Sequence, residues 1–172
     1  MCLLFDLTLS DPDQMPFLLR TLRKNKFDEE QQFEWVPDGD IQADALNDLR
    51  TSGNCLSVWL VEDSEETLLR LLAAIAAGRD HLSNIDYALI AVSEIQKAGL
   101  ELVENDGQIL DDAMKALHRD VVKISAFSLG KLAVAIQEKA ELERLSRGRV
   151  KSIIRESIDA GYIQRSDIKF TI

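Results

Sequence analysis

The alternation of apolar and polar positions is clearest at residues 55–78, CLSVWLVEDSEETLLRLLAAIAAG. Over 56–61, Leu56, Val58 and Leu60 fall on one face and Trp59 and Val61 on the other, the pattern of a central strand covered on both sides. Asp63 and Ser64 then offer side-chain oxygens to the free N–H groups of a new helix. Glu65 and Glu66 suit its positive dipole end, and Gly78 suits a left-handed stop. After the first turn only Arg70 is polar, so this helix is predicted to be buried between layers.

Taken in order, the chain predicts a strand at 3–9, where Leu3, Phe5, Leu7 and Leu9 alternate with Leu4, Asp6 and Thr8. Met15, Leu18, Leu19 and Leu22 follow Pro12 and Pro16 at helical spacing, which predicts a short helix to about Lys24. A brief strand is expected at 33–36. Pro37, Asp38, Gly39 and Asp40 should make a turn into a helix bearing Ile41, Ala45 and Leu49. The run 87–92 fits a strand, but Ile85, Ala88, Leu89, Val92 and Ile95 lie on one helical face and Ser83 with Asp86 resembles a helix start, so helix is the favoured of the two readings. Gly99 caps it, 100–103 reads as a strand, and Asn105, Asp106 and Gly107 as a turn. Leu110, Met114, Leu117, Val121 and Ile124 then predict an amphipathic helix over 110–124. Ser128 and Ser146 are candidate caps for two more helices. Gly161 stops the last one, before a strand at Ile168, Phe170 and Ile172 that could pair with 162–164 as a hairpin.

These elements predict an α/β or mixed α+β fold: a central sheet with covering helices, then a mostly helical C-terminal part ending in a short strand or hairpin. The expected division is an acidic α/β sheet domain at 1–107 and a helical subdomain at 108–172 packed on it. At 172 residues the chain is long enough to bury a core without staples. Cys2 and Cys55 lie in apolar runs without C-x-x-C spacing, so both are expected as buried free thiols in a reducing compartment. No secretory signal or membrane-length apolar run is present, and a cytoplasmic protein is expected.

Charge adds a second division. Residues 1–130 carry 11 Lys/Arg against 24 Asp/Glu (net −13), whereas 131–172 carry 9 against 6 (net +3). The acidic body would repel nucleic acid and anionic membrane, so any contact with a phosphate backbone falls to the C-terminal segment.

Reactive chemistry is sparse. His81 and His118 have no partner at metal-ligand spacing, and His118-Arg119-Asp120 lacks the glycine loop that a kinase reading requires. Phosphate-binding glycine patterns and G-x-S-x-G are absent, so no cofactor is implied. Glu62 and Asp63 end the central strand, and Glu104 and Asp106 would join them if the strand at 100–103 lay parallel and adjacent. That cluster would support a carboxylate-dependent metal enzyme, the third reading.

Residues 128–172 carry one resemblance. From Ala140 through Arg144, Ser146 and Val150 the spacing resembles the small residue, turn and buried valine of a winged helix-turn-helix, followed by a helix and a two-stranded wing. Arg144 stands where a turn glycine is usual, and Lys139 and Glu143 occupy positions normally apolar. The resemblance implies nucleic-acid binding by Arg147, Arg149, Lys151 and Arg155 at the start of the recognition-like helix, making a DNA-binding regulator the second reading. The first is a non-enzymatic interaction protein whose acidic exterior recognises a basic protein partner by electrostatic steering. Bacterial immunity and antitoxin proteins share that size and charge.

Overall fold

The computed structural model describes residues 16–49, 51–61 and 64–172. The strand expected at 3–9, the Cys2 thiol, and Glu62 and Asp63 therefore lie outside the described residues. Among the described residues six strands form one sheet: β1 (Phe17–Thr21), β2 (Leu56–Val61), β3 (Ile85–Ala91), β4 (Glu101–Glu104), β5 (His118–Val122) and β6 (Glu141–Leu145). Their order is β4-β5-β2-β1-β3-β6, and every neighbouring pair is antiparallel. The sheet thus draws four of these strands from residues before 108 and two from after it.

Among the described residues five α-helices accompany the sheet: α1 (Glu65–Ala77), α2 (Val92–Lys97), α3 (Asp112–Lys115), α4 (Ala126–Lys139) and α5 (Arg147–Asp159). Strand periodicity divides the core in two. On one face Leu18, Val58, Ala88 and Ile90 join Ile95 of α2 and Leu132, Ala133 and Ile136 of α4. On the other, Leu19, Val61, Ile85 and Tyr87 join Leu71 and Leu72 of α1 and Val150, Ile153 and Ile154 of α5. A mixed α/β sheet covered by helices is the class expected from sequence, and β2 lies in the sheet interior as its pattern requires. Helix α1 begins at Ser64, whose hydroxyl accepts from Thr67 N at 3.3 Å. It packs beside α5 on one face of the sheet rather than on a wet surface.

Several elements differ from their expected type. Residues 17–21 form strand β1, not a helix, and 85–91 form strand β3 before the short α2. In both, an apolar run covered on two faces imitates a helical stripe. The long helix expected at 110–124 divides into α3 and β5, because a strand is needed at the outer edge of β2. Residues 33–36 form a turn closed by Val36 N to Phe33 O at 3.0 Å, and the helix over 41–49 shortens to a 3-10 segment, Ala43–Asn47. Gly78 has φ −75°, so it ends α1 without a left-handed residue. Gly99 and Gly161 do supply positive φ.

The C-terminal hairpin does not form. A 3-10 turn at Arg165–Asp167 stands in its place, and Ile163 and Ile168 are buried beside α1 and α5. Nor is there a helix-turn-helix, because β6 separates α4 from α5 and the two helices pack on opposite faces of the sheet. The small residue Ala140 and turn position Arg144 of the expected motif belong to the entry and body of a strand. Cys55 is half-buried rather than buried.

Two ion pairs fasten the elements together. Asp111 is 2 % exposed and accepts from Arg70 Nε at 2.6 Å and Nη2 at 3.0 Å, while capping α3 through Ala113 N. The same guanidinium lies 3.6 Å over the Tyr162 ring, tying α1 to the chain after α5. Asp86 bridges β3 and β6 by accepting from Arg144 Nε at 2.6 Å and Nη2 at 2.7 Å. Arg144 holds the Asp86 carboxyl below its ordinary range; burial opposes this, and the N–H of Lys24 adds to it.

Gly107 is buried against Trp59, and an added Cβ would overlap the indole and approach His118 Cβ to 2.9 Å. Gly107→Ala should therefore cost about 1–3 kcal/mol in urea unfolding, the penalty of overpacking. The depressed pKa of Asp86 contributes stability above the unfolded carboxylate value of about 4, lost as pH falls through the lower folded value. Urea midpoints measured from pH 5 downward should fall for the wild-type protein and fall less steeply for Asp86→Asn.

Candidate functional site

The basic residues of α5 sit on a helix laid flat on the sheet. Ser146 caps it by accepting from Arg149 N at 3.3 Å, and Asn84 Oδ1 accepts from Arg147 N at 2.7 Å, which docks the helix start to the loop before β3. Val150, Ile153, Ile154 and Ser157 are turned inward. Arg147, Arg149 and Arg155 are exposed and Lys151 is half-buried. Of these four, Arg149 is paired, with Glu156 of the same helix at 3.3 Å. Arg147, Lys151 and Arg155, spaced four apart, share a stripe along one side of the helix.

The other candidates do not converge. β5 intervenes between β2 and β4, so Glu104 is not on a strand adjacent to the end of β2. Glu104 pairs instead with Arg119 at 3.1 Å, and Asp106 is exposed. Among the described residues no group of three or more His, Cys, Asp or Glu side chains is placed to hold a metal ion. His81 is exposed. His118 is buried on β5, its ring edge-on to Trp59 at 4.8 Å, and its Nδ1 donates to the Asn105 carbonyl at 3.1 Å. That bond places a proton on Nδ1, and Nε2 lies 3.9 Å from Asp120 Oδ1. No helix among the described residues is long and apolar enough to cross a membrane.

A different surface stands out between β1 and β2. Residues 28–48, DEEQQFEWVPDGDIQADALND, hold eight Asp/Glu and no Lys or Arg. The segment is pinned at both ends: Phe27 before it and Ala45 and Leu49 toward its end are fully buried, and Gln42 Nε2 donates to Lys26 O at 3.0 Å. Its middle is held to α4 where Gln32 donates to Gln137. Asp28 caps a 3-10 turn at Glu29–Gln31 by accepting from Glu30 N at 3.1 Å. The turn at 37–40 closes through Asp40 N to Pro37 O at 3.0 Å, and Gly39 (φ 80°) supplies the left-handed position a type II turn requires.

Between these fixed points the chain displays Phe33 and Trp35. Their rings stack with centroids 4.9 Å apart and planes 6° apart, yet Phe33 is 51 % and Trp35 78 % exposed. Stacking pairs the two rings without burying them. Asp44 pairs with Lys26 and Asp48 with Arg23. Glu29, Glu30, Glu34, Asp38 and Asp40 are exposed and have no cation within 4 Å among the described residues. The strand expected at 33–36, which would hold Phe33 and Trp35, is replaced by the turn there. The signal that points to a surface loop is the unbroken acidity around them, which no half-buried strand between hydrophobic layers could tolerate.

These surfaces have to be read from their geometry: no protein-family model, curated protein or solved structure matches the chain.

Proposed function

We propose that the protein is a non-enzymatic binding protein that presents residues 28–48 to a basic protein partner. The observation that carries this reading is the stacked, exposed Phe33–Trp35 pair set among Glu29, Glu30, Glu34, Asp38 and Asp40, which have no cation within 4 Å among the described residues. Interface hot spots are rich in aromatic side chains surrounded by polar residues that exclude water, and both parts are present here. The net charge of −10 supports the same partner chemistry, since it attracts a cationic surface at long range and repels anionic ones.

The two components of this surface have separable effects. Aromatic anchors act mainly on dissociation, because their contacts form only in the docked complex, whereas rim charges act mainly on encounter. Immobilised protein at low salt should therefore retain a basic protein that raised salt releases. In surface-plasmon measurements with that ligand, Phe33→Ala/Trp35→Ala should speed dissociation by at least about tenfold, equivalent to a loss of about 1.4 kcal/mol. Its own stability should change by no more than about 1 kcal/mol, since both rings are already largely in water. Neutralising Glu29, Glu30 and Glu34 to Gln should instead slow association and flatten its salt dependence. Retention of the same ligand by the double aromatic variant with unchanged kinetics would sink the reading. So would an acidic ligand, or none at all.

A further inference from the structure

At the end of the sheet where β1 and β6 finish and β3 begins lies an open cleft of about 440 Å³, distinct from the aromatic surface. Its lining includes Arg20, Arg23, Arg79 and Arg144 against two carboxylates, Asp48 and Asp86. In a chain of net charge −10, this concentration of arginine is against the overall trend.

Both carboxylates are already engaged. Asp48 accepts from Arg23 Nε at 2.9 Å and from the Arg23 backbone N at 2.7 Å. Asp86 is held by the two nitrogens of Arg144 and by Lys24 N at 3.0 Å. Arg20 and Arg79 are left without a carboxylate within 4 Å among the described residues. Arg20 donates from Nη1 to Ser57 O at 2.8 Å and from Nη2 to Asp48 O at 3.2 Å, but its Nε is buried with no hydrogen-bond partner. Arg79 Nη1 makes only long contacts, 3.4 Å each, to Ser83 Oγ and Asn84 O. Burial pushes both guanidinium pKa values down; Asp48 partly offsets this for Arg20 and Asp86 for Arg79. An arginine does not release its proton in a protein, so the cost of these desolvated cations remains until an anion meets it.

We propose that this cleft binds the phosphoryl group of a small phosphorylated molecule, held between Arg20 and Arg79. Four guanidinium groups against two carboxylates leave an excess of about two positive charges in the cleft lining, which a phosphate monoester matches near pH 7 together with three acceptor oxygens. A monocarboxylate supplies one charge and two oxygens and leaves one cation unmatched. The cleft is within the size range of small-molecule sites, about 300–1,000 Å³, so the rest of an organic phosphate fits beside its phosphoryl group. Arg23 and Arg144, already oriented by Asp48 and Asp86, form the positive rim.

The test is titration of the full chain with inorganic phosphate and with a nucleoside monophosphate, read by amide chemical shifts and thermal stability. Chloride at matched ionic strength serves as the control. Saturable shifts are expected at Asn84, Asp86 and Thr21, with a rise in thermal midpoint. Arg79→Gln should weaken both by at least about tenfold, because it removes one half of a charge-assisted clamp. That variant loses no short hydrogen bond and should fold, whereas Arg20→Gln removes two backbone ties and is less informative. Lys131→Gln, on α4, should bind as the wild type does. Equal effects from chloride, unchanged affinity in Arg79→Gln, or a response to duplex DNA but to neither small phosphate would overturn the proposal.

Discussion

The fold depends on covering three adjacent strands on both faces. β2, β1 and β3 each carry apolar side chains on alternate sides, so no arrangement with a single layer of helices could remove them from water. Two layers result, α1 with α5 on one face and α2 with α4 on the other. Fully burying a leucine contributes about 1.5–3 kcal/mol, and Leu18 and Leu19, neighbours in β1, each anchor a different layer. The remaining strands are less apolar because they need less cover. β4 and β6 lie at the edges, largely solvent-exposed and rich in glutamate, where charge also discourages pairing with another chain.

That demand for two-sided cover explains which elements were legible in the sequence. β2 announced itself because its short apolar run is bounded by turn residues on both sides and followed by a capped helix. α1, α5 and their serine caps were legible because capping is local chemistry, independent of what the helix later touches. β1 and β3 were not, because a strand buried on both faces loses the period-two signature and becomes an apolar run that a helical template also fits. Leu18, Leu19 and Leu22 satisfy both templates, and only the hydrogen bonds to β2 and β3 decide between them. β5, HRDVV, was hidden because Leu117, Val121 and Ile124 around it continue the helical spacing of Leu110 and Met114, and the helix-turn-helix resemblance fails at β6.

The surfaces divide along similar lines. Acidity along 28–48 is a local property that was visible in composition, but exposure of Phe33 and Trp35 follows from pinning by Phe27, Gln32 and Leu49, which is tertiary. The arginine cleft had no local signal. Arg20, Arg79 and Arg144 come from a strand, a helix exit and another strand, and the antiparallel order alone brings the end of β1, the start of β3 and the end of β6 to one edge. The residues of α5 singled out by their local density remain on the outside of that helix, beside the cleft at Arg147 but not lining it.

Net charge sets different conditions for the two surfaces. A basic protein approaching the acidic segment is attracted by the whole molecule beyond the Debye length of about 8 Å, so its encounter is assisted before any contact forms. A small anion approaching the cleft meets a molecule that repels it. It can gain only inside, where partly buried guanidinium groups are screened less by salt than exposed ones. Affinity for an anion there would have to come from short-range geometry, with little help from long-range steering. Asp48 lies at the boundary between the two: its carboxylate closes the acidic segment onto Arg23, and its carbonyl receives Arg20. Arg20 lines the cleft while donating to that carbonyl, so the residue that ends the acidic segment is also part of the cleft wall.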